Sequence, residues 1–285
     1  MRKKLLRIEE IFFKLLMILS LAIVVLVLSI IVYTIFKKGL PSLSWEMISQ
    51  TPKGGYYFGK GGGILNAIVG SVYLAFGATL LAIIIGIPVS LLLNIHLKKF
   101  KRLVDSIRGF FDLLCGIPSI VYGAFGFTIM IFLGIKASLL AGIITIALLI
   151  LPIMINAMDA VLKNVPTGLL QASMSLGANK SQTAFIVYLR QCSSAIITAI
   201  IISFGRAIGD TAAVLFTTGY TDNIPSSLLQ PSATLPLSIF FQLSSPIPEV
   251  QNRAYASAAI LTIIILIISL ISRVLSGKYN KHKIS

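Results

Sequence analysis

Arg206 and Asp210 are the two charged residues of an otherwise uncharged stretch, 191–221. An ionised side chain at the centre of a lipid-embedded helix costs about 2.5–3.5 kcal/mol, so a pair of them requires a compensating role. Four positions apart, the two face each other across one turn if the stretch is a single helix, and Ser203 and Thr217 then extend the same polar stripe. A guanidinium offers a planar fork of donors to an oxyanion. A carboxylate accepts from the protonated oxygen of hydrogen phosphate, a proton that sulfate lacks. Gly205 and Gly209 form a small-xxx-small pair at which another helix can approach closely. One reading is a self-neutralising ion pair between helices, the other a wall of a substrate path. The path is favoured, because ionisable groups within membranes usually line pathways or relays.

A second feature lies in the connection 159–190. Pro166 suits the first turn of a helix, and Leu169, Leu170, Ala172, Ser173, Met174 and Leu176 give that helix a mostly apolar face before Gly177 stops it. Asn179 is placed to cap the next helix. Such a face is covered either by another protein or by the chain's own spans, and the local pattern does not separate the two.

The elements that must position these residues follow from composition. Of 285 residues 56% are apolar and 12% charged, and the mean hydropathy is +0.96. A soluble chain of this length cannot hide so much apolar surface, which places the chain in lipid. Uncharged runs at 15–36, 113–135, 137–158 and 254–272 each suffice to cross roughly 30 Å of hydrocarbon. The run 61–97 is longer than one straight crossing, with Pro88 a candidate kink. The first run follows Arg2, Lys3, Lys4 and Arg7, but it exceeds a signal core and no Ala-x-Ala site follows, so it reads as a retained anchor.

These runs predict an all-α membrane protein of about six transmembrane helices forming one domain. The expected spans are 15–36, 64–97, 109–135, 137–158, 191–218 and 254–275. Tails 1–14 and 276–285 and connections 98–108 and 159–190 fall on one side, and loops 37–63 and 219–253 on the other. With Arg273 at the end of the last span counted on the first side, and Lys136 between the third and fourth spans on the second, the first side holds seventeen Lys and Arg and the second six, so both termini are expected to be cytoplasmic.

The net charge of +15 points to anionic lipid rather than nucleic acid, because the cations flank spans instead of forming a basic face. Cys115 and Cys192 lack a Cys-x-x-Cys or His neighbour, so neither a disulfide nor a metal site is expected. His96 and His282 read as interfacial residues, and Asp112 and Asp159 as solvated span ends. Gly54, Gly59 and Lys60 imitate the start of a P-loop, but Gly61 stands where Ser or Thr is needed and no strand precedes them. No catalytic set can be assembled from these positions.

Gly205, Arg206, Ala207, Gly209, Asp210, Thr211 and Ala212 resemble the Gly-Arg-Ala-x-Gly-Glu-Thr-Ala segment of the PstA family of phosphate permeases, with Asp210 replacing Glu. Gly62, Gly63 and Asn66, Gly116, Pro118, Ser119, Tyr122 and Gly123, and Leu235, Pro236 and Leu237 are similar to the same family. Gln171, Ala172, Ser173, Gly177 and Ala178 resemble the Glu-Ala-Ala loop of ABC importer permeases, with Gln171 for Glu and Arg190 for Pro. The resemblance implies a type I ABC importer permease fold in the bacterial cell membrane. It implies a substrate path at Arg206, Asp210, Ser203 and Thr217, and an ATPase-coupling surface around Gly177. The implied partners are a PstC-type second permease, a PstB-type ATPase dimer carrying ATP and Mg, and a PstS-type phosphate-binding protein. This chain itself would hold no cofactor and catalyse nothing. A permease for sulfate or molybdate, or a free-standing secondary transporter or channel, is the alternative.

Overall fold

The apolar runs become helices in the computed structural model, which describes residues 2–54 and 61–279. In chain order these are α1 (Arg2–Gly39), a short α2 (Trp45–Ser49), α3 (Leu65–Leu91), α4 (Lys101–Gly116), α5 (Ser119–Leu133), α6 (Leu139–Leu162) and α7 (Thr167–Ser175). After them come α8 (Lys180–Gln182), a π-helical stretch Thr183–Tyr188, α9 (Leu189–Gln191), α10 (Ser193–Gly209), α11 (Leu235–Leu243) and α12 (Pro248–Tyr279). Gly59, Lys60 and His282, together with residues 280–285 of the expected tail, lie outside the described residues.

Four segments are long and apolar enough to cross a membrane alone: Glu9–Ser42, Leu65–Lys99, Leu139–Leu162 and Pro248–Val274. Two bent helix pairs, Lys101–Gly116 with Ser119–Leu133 at 97° and Lys180–Gln191 with Ser193–Gly209 at 78°, bring the candidate spans to six if each pair is one crossing. The expected single span 109–135 is therefore two helices. Pro118 has no N–H and pushes Ile117 into extended backbone (φ −73°, ψ 128°), which ends α4. The Tyr122 hydroxyl then donates to the carbonyl of Leu114, 2.9 Å away, and satisfies one of the orphaned acceptors. The expected loop 98–108 is largely helical as well, since α4 begins at Lys101 and buries Val104 against Leu93 and Ile155.

The bundle is held together by α3 and α6, with α10 packed on both and α12 on α10. One face of α3 explains the close fit, because Ala67, Gly70, Ser71, Ala75, Ala78, Ala82 and Gly86 recur at helical spacing and are all buried. Lipid tails are as apolar as leucine, so helices in lipid associate through close packing rather than hydrophobic expulsion, and small residues permit that approach. Ile146, Ile150 and Met154 of α6 fill the space opposite. By contrast, the apolar window of α1 is wholly uncovered by the rest of the chain. Its end alone is tight, where Gly39 abuts the backbone of Tyr255 and Ala256 on α12.

Between α10 and α11 the backbone is not helical, yet 232–234 is buried, and the burial continues into the first turn of α11. Non-helical backbone survives at membrane depth only where protein satisfies it. Here the amides of Ser138, Leu139 and Leu140 at the start of α6 donate to the carbonyls of Thr217, Gln230 and Leu228 at 3.0, 2.8 and 2.8 Å. The Ser71 hydroxyl accepts from the Leu235 amide at 2.7 Å. The expected outer loop 219–253 thus contains an inserted segment and a helix. A Cβ at Gly70 would strike the Ala233 carbonyl and the Ser232 hydroxyl. Gly70→Ala should therefore cost about 1–3 kcal/mol, read as a lower unfolding temperature of the purified protein in detergent.

Candidate functional site

The geometry around Arg206 differs from a single polar stripe. α10 stops at Gly209, and Asp210 is extended (φ −80°, ψ 128°). The Asp210 carboxylate accepts from the Ala213 amide at 2.9 Å, so it caps the turn that follows the helix rather than continuing it. Arg206 occupies the last turn of α10, where the negative end of the helix dipole favours a cation. Its guanidinium lies 3.8 Å from the Asp210 carboxylate, with side-chain exposures of 51% and 7%. That separation is a loose ion pair and leaves the donor fork open.

Ile202, Arg206 and Gly209 form the exposed face of α10, while Ser203, Ala207 and Ile208 face inward. Ser203 is fully buried, and its hydroxyl has no partner among the described residues. Thr217 is also fully buried and donates to the carbonyl of Ala213 at 3.2 Å. The structure thus brings Arg206 and Asp210 together but places Ser203 and Thr217 in the packed interior. The helix break accounts for Thr217, and the direction of the buried face accounts for Ser203. Nothing lies within 4 Å of a Cβ built on Gly205, and only Ile265, at 3.8 Å, approaches one on Gly209. Among the described residues no helix packs into the glycine pair, and the open face carries Arg206.

The coupling surface has a defined backbone. Gly177 adopts φ +84°, a left-handed conformation that glycine accepts without strain. The amides of Gly177 and Ala178 donate to Met174 and Ser173 at 3.0 and 3.2 Å, a Schellman closure of α7. Asn179 and Gln182 then exchange side-chain and backbone bonds at 2.8 and 2.9 Å in a capping box, and the Ser173 hydroxyl meets that of Thr183 at 2.9 Å. Leu169 and Leu170 pack onto the bundle, while Gln171 and Ala172 are exposed. Leu176 is 90% exposed, with Phe185 and Ile186 also open. The helix pair therefore covers part of its apolar face on its own spans and leaves the rest bare.

The chain is similar to known proteins. A model described as "Binding-protein-dependent transport system inner membrane component" matches residues 82–282, which include both sites. The phosphate transport system permease protein PstA of Yersinia pestis is 34% identical over 256 residues, covering 88% of this chain and 84% of that protein. The chain belongs to the PstA family of these inner membrane components. PstA of Haemophilus influenzae is 30% identical over 257 residues, 89% of this chain and 87% of its own. A chain of the inward-facing MetNI methionine ABC transporter aligns at a TM-score of 0.61 and 19% identity, covering 76% of this chain and 95% of that one. The fold is thus that of an ABC importer permease, and the PstA-family chain is a multi-pass membrane protein.

One network in this PstA-family chain has no counterpart in the sequence reading. Asp159, with its side chain 5% exposed, is not a solvated span end. Arg108 grips it from both nitrogens at 2.9 Å, Asn94 donates to it at 2.7 Å and Lys163 lies 2.9 Å away. Lys163 lies one helical turn from Asp159, but Asn94 and Arg108 come from distant segments that no local spacing could have joined to it. Asp159→Ala would leave Arg108 without its carboxylate. A loss of about 3 kcal/mol is expected, toward the low end for a broken buried pair because Arg108 retains some solvent. Thermal unfolding of the variant beside Asp159→Asn measures it.

Proposed function

We propose that this chain is the permease subunit of an ATP-driven importer of inorganic phosphate in the bacterial plasma membrane. The observation that carries the reading is the loosely paired Arg206 guanidinium at the broken end of α10, exposed on an otherwise apolar helix face. A membrane helix keeps such a cation where a polar path or a partner receives it, and the relatives of this chain are phosphate permeases. Arg206 would be a stopping place for the oxyanion. Asp210 would accept from a protonated phosphate oxygen while holding the turn. Ser203 and Thr217 would act only by shaping the wall behind them.

In this reading both termini are cytoplasmic, as the distribution of Lys and Arg supports. The open glycine face of α10 would meet a PstC-type permease. Gln171, Ala172, Ser173, Gly177 and Ala178 would present α7 to a PstB-type ATPase, whose ATP and Mg supply the energy. The bare Leu176 supports that contact, since an exposed apolar face beside a rigid turn suits a partner. A PstS-type protein would deliver phosphate on the outer side.

The test is ATP hydrolysis by the transporter purified with these partners and reconstituted in vesicles. Phosphate-loaded binding protein is expected to stimulate hydrolysis, and the empty binding protein much less. Hydrolysis indifferent to the loaded protein would count against the reading.

A further inference from the structure

Far along the chain from Arg206, a cavity of about 250 Å³ opens where the end of α3, the start of α4 and the end of α6 meet. At about 30 Å³ for each water it has room for roughly eight waters, enough for a phosphate group with some hydration. Its walls carry Lys98, Lys101, Arg108 and Lys163, with Asp105 as the acidic member. The floor is formed by buried Val104 and Asn94.

The charges do not cancel. Asp159, behind the wall, has both oxygens engaged, one by Asn94 and Arg108 and the other by Arg108 and Lys163. Asp105 is largely exposed and lies 3.8 Å from Arg108. Lys98 and Lys101 have no carboxylate within ion-pair distance among the described residues. The Arg108 fork is therefore held rigidly from behind while two unpaired ammonium groups converge on the same concavity. Lysines on an ordinary solvated helix end would share neither a pocket nor a fixed guanidinium. A cation is repelled by the surplus positive charge, and an apolar ligand would have to desolvate it. A compact, multiply charged oxyanion can accept from both ammoniums and from the Nη1 side of Arg108, which Asp159 leaves free and Asp105 meets only at 3.8 Å.

We propose that this pocket binds a phosphate group, either the headgroup of an anionic phospholipid or free phosphate on that side of the membrane. Basic pockets between helices at the cytoplasmic edge are suited to both. Tyr188 forms part of the wall and belongs to the helical stretch leading from Gly177 to α10. An occupant would thus tie α4 to the segment joining the coupling turn to Arg206, which makes the pocket a natural place for lipid or product to adjust transport.

The experiment uses the full chain with its co-purifying subunits, in the Arg206→Ala background so that the path contributes no phosphate binding. Inorganic phosphate is titrated in neutral detergent by thermal unfolding. Separately, native mass spectrometry counts lipid retained from phosphatidylcholine vesicles with and without phosphatidic acid. Each is repeated with Lys98→Gln and Lys101→Gln together, side chains whose loss breaks no ion pair. The double variant should bind the phosphate group about 30-fold more weakly, at roughly fivefold per lysine. Lysine-dependent stabilisation by inorganic phosphate identifies the free anion, and lysine-dependent retention of phosphatidic acid alone identifies lipid. Equal binding by parent and double variant for both probes overturns the proposal, as does binding of neither probe by the parent.

Discussion

Arg206→Ala is expected to lower phosphate uptake by about 10- to 100-fold while leaving the amount of assembled protein unchanged. The magnitude is that of one hydrogen bond to a charged group, about 1.5–3 kcal/mol, lost from the point of passage. Assembly should survive because the guanidinium is half exposed and its contact with Asp210 is long, at 3.8 Å. Arg206→Lys separates charge from shape. An ammonium keeps the charge but loses the fork, so uptake should fall between the parent and the alanine variant. Uptake of labelled phosphate by intact cells, normalised to membrane abundance, measures both. Unchanged uptake in the alanine variant would remove Arg206 from the path.

Gly177→Val should disconnect hydrolysis from transport. Space is not the obstacle, since a Cβ there meets nothing within 4 Å. The obstacle is the φ of +84°, which costs an L-residue roughly 1–2 kcal/mol and a β-branched one more. Once the turn relaxes, the amides of Gly177 and Ala178 no longer close α7, and the bare surface at Leu176 is presented at a different angle. Stimulation of ATP hydrolysis by loaded binding protein is expected to fall about 5- to 30-fold. Gly177→Asn should retain most of it, because asparagine tolerates the left-handed region. Equal losses in the two variants would indicate that the backbone conformation is not what matters at this turn.

How much of this was legible in the residues depends on the kind of signal. The uncharged run 137–158 and the helix Leu139–Leu162 nearly coincide, because one unbroken apolar helix leaves its full length in the composition. The turn at Gly177 and the cap at Asn179 are equally readable, since each rests on local backbone chemistry. Bends are not. The stretches 109–135 and 191–218 are apolar throughout or nearly so, and hydropathy carries no direction. Pro118 marks the first bend and Gly209 with Asp210 the end of α10, while the 78° bend at Cys192 carries no such mark.

The inserted segment before α11 was hidden for a related reason. Its amino acids are those of a loop, and its burial comes from the glycines of other helices, Gly70, Gly123 and Gly142, which let it approach. The Arg108 and Asp159 pair joins residues 51 positions apart, beyond any periodicity. At the site itself, Arg206 stands out in sequence because it breaks an apolar run, whereas the burial of Ser203 depends on which face of α10 packs inward and that of Thr217 on where α10 ends.

Phosphate should cross through this chain at the expense of ATP. The most direct measurement is accumulation of labelled phosphate, beside labelled sulfate, in vesicles containing the complete transporter, with binding protein outside and ATP enclosed. The expected result is phosphate accumulation that requires enclosed ATP, falls about 10- to 100-fold with Arg206→Ala and is not matched by sulfate. Accumulation without ATP, or sulfate entering as readily as phosphate, would contradict it.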